Sequence, residues 1–133
     1  MPHKAVIVVS DALPTGLKAN VAAVLSMAFG KAHPDLVGPD VTCADGETFA
    51  GIVAIPLPIL CAPAEALRDL DAAAEALPYR AAYTDAALKT RSYDDYARLL
   101  AAAPRDAQPV HGLLFYGPRK AIDRIAGRLP LLR

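Results

Sequence analysis

Ala5-Val6-Ile7-Val8-Val9-Ser10 is an apolar run rich in β-branched residues, closed by Asp11 and Pro14. Such a run, with no alternation of polar side chains, predicts a strand buried on both faces. Thr15 or Gly16 then opens a helix. Leu17, Val21, Val24, Leu25 and Ala28 recur at helical spacing as its inward stripe, and Gly30 and Pro34 end it. A doubly covered strand feeding directly into a helix points to a layered α/β domain, and the rest of the chain can be read outward from that unit.

Downstream, Val41-Thr42-Cys43-Ala44 and Glu47-Thr48-Phe49 flank Asp45-Gly46, a two-residue hairpin signal. Gly51 to Ile55 and Leu57 to Leu60 are short apolar runs broken by Pro56 and Pro58. Proline removes a ladder donor, so these are edge strands or an extended loop covering the sheet. Pro63 suits the first helical position of a segment with Leu67, Leu70, Ala74 and Leu77 inward. Glu65, Arg68, Asp69, Asp71 and Glu75 lie mostly on its other face. Tyr79 to Thr84 reads as a strand. Ser92-Tyr93-Asp94-Asp95 is a capping-box variant opening a helix to about Ala103, buried through Tyr96, Leu99 and Leu100. Val110 to Tyr116 is the last strand, and Gly117-Pro118 starts a helix closed by Gly127. The tail Leu129-Pro130-Leu131-Leu132 should pack back on the domain. Strands alternating with helices imply one α/β domain over residues 1–133, with no internal repeat and no linker.

Lys+Arg and Asp+Glu both number 14 in 133 residues, so the formal net charge is zero. That excludes a basic nucleic-acid coat and an acidic disordered chain as descriptions of the whole. The apolar run after Met1-Pro2-His3-Lys4 is too short for a signal peptide, and no window suits a membrane span, so a cytoplasmic location without membrane contact is expected. Cys43 and Cys61 show no CxxC spacing, and the three histidines show no metal spacing, so neither a disulfide framework, a metal nor an organic cofactor is expected. The charge is polarised. Residues 117–133 hold Arg119, Lys120, Arg124, Arg128 and Arg133 against Asp123, five minus one or +4, leaving 9 − 13 = −4 elsewhere. This C-terminal basic helix could contact RNA phosphate, or it is a solvated face with cations near a helix C-terminus.

Two stretches resemble the peptidyl-tRNA hydrolase II superfamily. Val6-Ile7-Val8-Val9-Ser10-Asp11 followed by Ala19-Asn20-Val21-Ala22-Ala23 is similar to its opening strand, acidic loop and first helix. Leu113-Leu114-Phe115-Tyr116-Gly117-Pro118, with Ile125-Ala126-Gly127 and the Leu-rich end, resembles its last strand, turn and helix. More closely, nearly the whole chain resembles the family catalogued as domain of unknown function 2000. The matching pieces are Asp35-Leu36-Val37-Gly38-Pro39-Asp40, Tyr93-Asp94-Asp95-Tyr96, Tyr116-Gly117-Pro118-Arg119-Lys120-Ala121 and Leu129-Pro130-Leu131-Leu132-Arg133. The resemblance implies a three-layer α/β/α domain with a mixed sheet, hydrolase II-like.

It also implies site positions. The hydrolases place an Asp and a Thr on the loop after the third strand, where Asp85 and Thr90 stand, one residue further apart than in that family. Their first-helix lysine falls on Asn20 in one alignment and on Lys18 in another. Ester cleavage needs a group that activates water and a donor for the oxyanion. Asp85, Thr90 and Lys18 are therefore the catalytic candidates. Asp11, Lys18, Asn20, Tyr116, Arg119 and Lys120 are the ligand-binding candidates, because the loops after the first and last strands are expected to line one pocket. The blander reading makes Asp85 a turn residue, Thr90 a cap and His111 a structural residue at a strand end. The functional expectation is a small polar or phosphorylated ligand in a cleft between the first helix and the loop after the third main strand. A peptidyl-tRNA or related ester hydrolase is the alternative. A homodimer or partner contact through the apolar, Pro-rich segment Gly51 to Pro63 is a third.

Overall fold

The computed structural model describes residues 2–133; Met1, which the reading of the N-terminus includes, lies outside them. β1 (His3–Ser10) sits inside a four-stranded sheet with β4 (Ile59–Ala62), β5 (Tyr79–Thr84) and β6 (Val110–Pro118), in the order β4-β1-β6-β5. β4 runs parallel to β1, whereas β1–β6 and β6–β5 are antiparallel, so the sheet is mixed. Val6 to Val9 are at most 2% exposed because both faces of β1 are covered. On one face, α1 (Thr15–Ala32) packs Val21, Leu25 and Phe29 on Ile7, Val9 and Leu114. On the other, α2 (Leu67–Ala73) and α5 (Arg119–Ala126) pack Leu67 and Ile122 on Val6, Val8, Leu113 and Phe115. The molecule is a mixed α/β fold with helices on both sides of its sheet.

Several local expectations need correction. The inward stripe of α1 is turned: Val24 is 46% exposed and Ala28 is exposed, while Ala22 and Phe29 are buried. The cause is Gly112 on β6. A Cβ there would collide with Val21 Cγ1, so its absence lets Val21 seat deeply and sets the Val21–Leu25–Phe29 row against the sheet. In α2, Asp71 is not outward but buried. Arg105 Nε and Nη2 donate to its two carboxylate oxygens at 2.8 and 2.9 Å, and Arg80 Nη1 donates to its carbonyl at 2.7 Å. A buried carboxylate needs such compensation. Pro63 precedes a 3-10 turn, Ala64–Ala66, that leads into α2. The segment after β5 is a short helix, α3 (Asp85–Lys89), rather than a loop. α4 (Tyr93–Ala101) starts where expected, at Ser92, whose Oγ accepts from Asp95 N at 3.1 Å. None of its residues is fully buried, and Leu99 is 44% exposed, because its main neighbour is α3 rather than the sheet. Gly117 and Pro118 are the last residues of β6, and Pro118 is also the N-cap from which α5 starts.

Residues 36–54 form an antiparallel arm. It includes the short strands β2 (Val41–Thr42) and β3 (Thr48–Phe49). Its turn has three residues, Ala44 to Gly46, between the paired Cys43 and Glu47, not two. Within this turn only Gly46 has positive φ, at 91°, as a three-residue loop ending in a left-handed residue requires; a two-residue type I′ turn needs two such residues. The C-terminal tail returns along β4: Cys61 N donates to Pro130 O and Leu132 N to Ile59 O, both at 2.9 Å. That covers an edge strand.

The sense of β6 decides what can share a site. β1 and β6 are neighbours, as expected of the opening and closing units, but they run in opposite directions. Val9 pairs with Gly112 and His3 with Pro118, so the loops after the two strands leave at opposite rims of the sheet. The common pocket expected between those loops is not formed.

Candidate functional site

The ends of β1 and β5 and the start of β6 meet at one rim. There the β5–β6 register shifts between Tyr83, opposite Gly112, and Thr84, opposite Val110. His111 is the extra residue of this bulge. A bulge turns a side chain away from the alternation of its strand. His111 Nε2 lies 2.9 Å from Asp85 Oδ1, and Lys89 Nζ lies 2.6 Å from Asp85 Oδ2. The hydrogen bond from Lys89, and then that from His111, hold the Asp85 carboxyl below its ordinary pKa. Both members of the Asp85–His111 pair are mostly buried, with side chains 20% and 23% exposed. Beside them, Thr84 Oγ1 is buried without a hydrogen-bond partner. His111 is thus a site candidate that the sequence reading weighted toward a structural role. Its nearness to a strand end was visible; the bulge that aims it was not.

Thr90 follows α3 and its Oγ1 donates to Ala86 O at 2.7 Å, so its hydroxyl caps the helix that begins at Asp85. It also lines a cleft of about 390 Å³. Val24, Leu25 and Ala28 of α1 form one wall, Ala81 to Tyr83 of β5 another, and Arg91, Ser92, Tyr93 and Tyr96 the third. Tyr93 and Tyr96 stack edge to face with centroids 5.4 Å apart. Burial, with Tyr93 adding to it, raises the Tyr96 phenol above its ordinary pKa. Arg91 has no ion-pair or hydrogen-bond partner among the described residues.

The remaining candidates divide between the rims. Asp11 lies just beyond the end of β1, and its N donates to Ala62 O at 2.9 Å. Lys18 and Asn20 stand in the first turns of α1, at the same rim as Asp85. β6 lies between β1 and β5, so these groups start from strands about 10 Å apart. Tyr116, Arg119 and Lys120 belong to the opposite rim. Tyr116 packs there against His3, Phe29 and His33, with centroids 5.4, 5.4 and 4.9 Å away. Arg119 N donates to Pro2 O at 2.8 Å. Among the described residues no group of three or more His, Cys, Asp or Glu is placed to hold a metal ion, and no helix is long and apolar enough to cross a membrane.

A family model described as protein of unknown function (DUF2000) matches residues 3–133. The fold is also that of a protein of unknown function from Agrobacterium tumefaciens strain C58. The TM-score is 0.92 at 18% identity, covering 100% of this chain and 99% of that one. At that identity the likeness speaks for the fold alone. No curated protein matches the chain.

Proposed function

The chain belongs to the family of proteins of unknown function DUF2000, and from that premise we propose that it binds a small polar or phosphorylated molecule in the cleft between α1 and the α3–α4 elbow. The observation that carries this reading is Arg91. It lines the cleft with no ion-pair or hydrogen-bond partner among the described residues, and Ser92, Tyr93 and Tyr96 line the same wall. A planar cationic fork suits a phosphate or carboxylate, and the rings suit a flat apolar group attached to it. Small-ligand sites are mostly apolar with a few polar groups that fix orientation, and the Val24, Leu25 and Ala81 walls have that character. Lys18, Asn20 and Asp11 remain part of the proposal as groups at the same rim; Tyr116, Arg119 and Lys120 do not.

Titration with inorganic phosphate and with nucleoside mono- and diphosphates, followed by calorimetry and thermal shift, tests it. Binding to the native state raises the unfolding temperature. Arg91→Ala should weaken binding about tenfold or more. A flat response to all these anions, or equal binding by Arg91→Ala, removes the proposal.

A hydrolase of peptidyl-tRNA or a related ester, on a peptidyl-tRNA hydrolase II-like scaffold, is the second reading, favoured by the Asp85–His111 pair. An imidazole oriented by a carboxylate is a suitable general base toward water. On this reading Asp85 is a positioning residue and Lys18 or Asn20 serves the oxyanion. Turnover of peptidyl-tRNA lost in both Asp85→Ala and His111→Ala supports it; no turnover at high protein concentration ends it.

A further inference from the structure

Leu88, Tyr93, Leu99 and Leu131 are exposed singly on α3, α4 and the tail, but the other exposed large apolar residues gather in one place. Met27 is 81% exposed, Ile52 77%, Phe49 65%, Val41 63% and Val37 43%; all lie on the outer side of α1 or on the 36–54 arm. The arm is a tip pair of short strands and a bridge at its base, in the same register. Ala54 N donates to Leu36 O and Gly38 N to Ile52 O, both at 2.8 Å, Val37 pairs with Val53, Val41 with Phe49, and Cys43 N donates to Glu47 O at 2.8 Å. The pairs on either side of the waist keep one register, so no residue is inserted between them. At the waist, Gly51 N donates to Asp40 Oδ1 at 2.9 Å, and a Cβ on Gly51 would strike the Gly38 backbone. The arm is therefore a closely pinned element.

Directly opposed residues share a face, so Val41 and Phe49 present one apolar surface at the tip. None of the described residues covers it, and Val41 and Phe49 stay 63% and 65% exposed. At the arm's base, Val37, Ile52 and Val53 together with Met27 and Ala28 of α1 bound an apolar trough of about 1140 Å³. A two-stranded hairpin is barely stable alone in water, and a concentrated exposed apolar patch marks an association site.

Charge identifies the occupant. Beyond the waist the arm carries Asp45 and Glu47 and no Lys or Arg. The trough carries Lys31, which has no ion-pair partner among the described residues. An acidic apolar tip and a basic apolar trough on one chain are mutually complementary. A twofold axis satisfies both at once, tip into trough and trough over tip. We propose that the chain forms a homodimer in which the Val41–Phe49 tip of each arm seats in the Met27–Val37 trough of the other copy. This interface is separate from the cleft at Arg91 and stands whether or not that cleft binds an anion.

Sedimentation velocity over a range of concentrations reads it out. The wild type should show a monomer–dimer equilibrium. Phe49→Lys and Met27→Asp should each weaken association about thirtyfold or more. Both side chains are exposed in the single chain, so each variant should keep its far-UV spectrum. Mixing the two variants should restore a heterodimer. One contact then pairs Lys with Asp, and the other retains the native Phe and Met. A wild type that stays monomeric at every concentration, a dimer indifferent to both substitutions, or a mixture that does not reassociate would each overturn the proposal, including in favour of a small apolar ligand in the trough.

Discussion

Asp85 shows how one residue's partners set a pH dependence. Lys89 and then His111 stabilise its charged form, so its folded pKa lies below the ordinary 3.8. A depressed carboxylate pKa adds stability above the unfolded value, and that addition is lost as the pH falls through the folded value. Asp85→Asn should therefore cost about 1 kcal/mol at neutral pH. The gap to wild type should close as urea titrations are taken to pH values below 3.8. An undiminished gap in acid would mean that packing, not charge, is the cause. Asp85 was a site candidate through the resemblance to the hydrolases, which place an Asp after the third strand; the residues alone also allowed a turn. His111 was not, because a lone histidine carries no sign of the bulge beside it. Asp71 was misplaced for a related reason: helical spacing locates a face, but not an arginine arriving from residue 105 to make burial tolerable.

Among the elements, β1 was the most readable, since four consecutive β-branched residues can be satisfied only between two layers. α1 was readable as a helix but not in rotation. Its stripe depends on Gly112, 91 residues beyond Val21 and in a strand, where space rather than pattern decides. Gly112→Val should overpack that contact and cost about 2 kcal/mol, seen as a lower urea midpoint with an unchanged slope. α4 is the converse case. Its capping signal was correct, yet its apolar side rests on a neighbouring helix at the sheet edge and stays partly exposed. Elements with few buried contacts open locally before the whole chain unfolds. Ser92→Ala removes the Asp95 N acceptor and should destabilise α4 by about 1 kcal/mol. Hydrogen exchange should accelerate within α4 while the amides of β1 and β6 keep their protection.

At the scale of the whole molecule, direction matters more than adjacency. The sequence contains nothing that distinguishes a parallel from an antiparallel neighbour for β6, since an apolar run reads alike both ways. That sense nevertheless separates the two groups of site candidates. From Gly112 to Pro118, β6 extends for about 20 Å at roughly 3.4 Å per residue. Asp85, His111 and the Thr90–Tyr96 cleft approach one end, and the start of α5 stands at the other. Charges so far apart are screened from each other at physiological salt. Any polyanion contact by the basic helix should therefore be independent of the cleft. Lys120→Glu and Arg124→Glu should lower the salt-dependent affinity for single-stranded RNA, each reducing the salt slope by about one, and leave phosphate binding unchanged. Arg91→Ala should do the reverse. In the combined variant each loss should keep its single-variant size within about 0.5 kcal/mol. A larger coupling in that cycle would require one ligand to bridge both rims, and only a long, wrapping substrate such as a tRNA could do so.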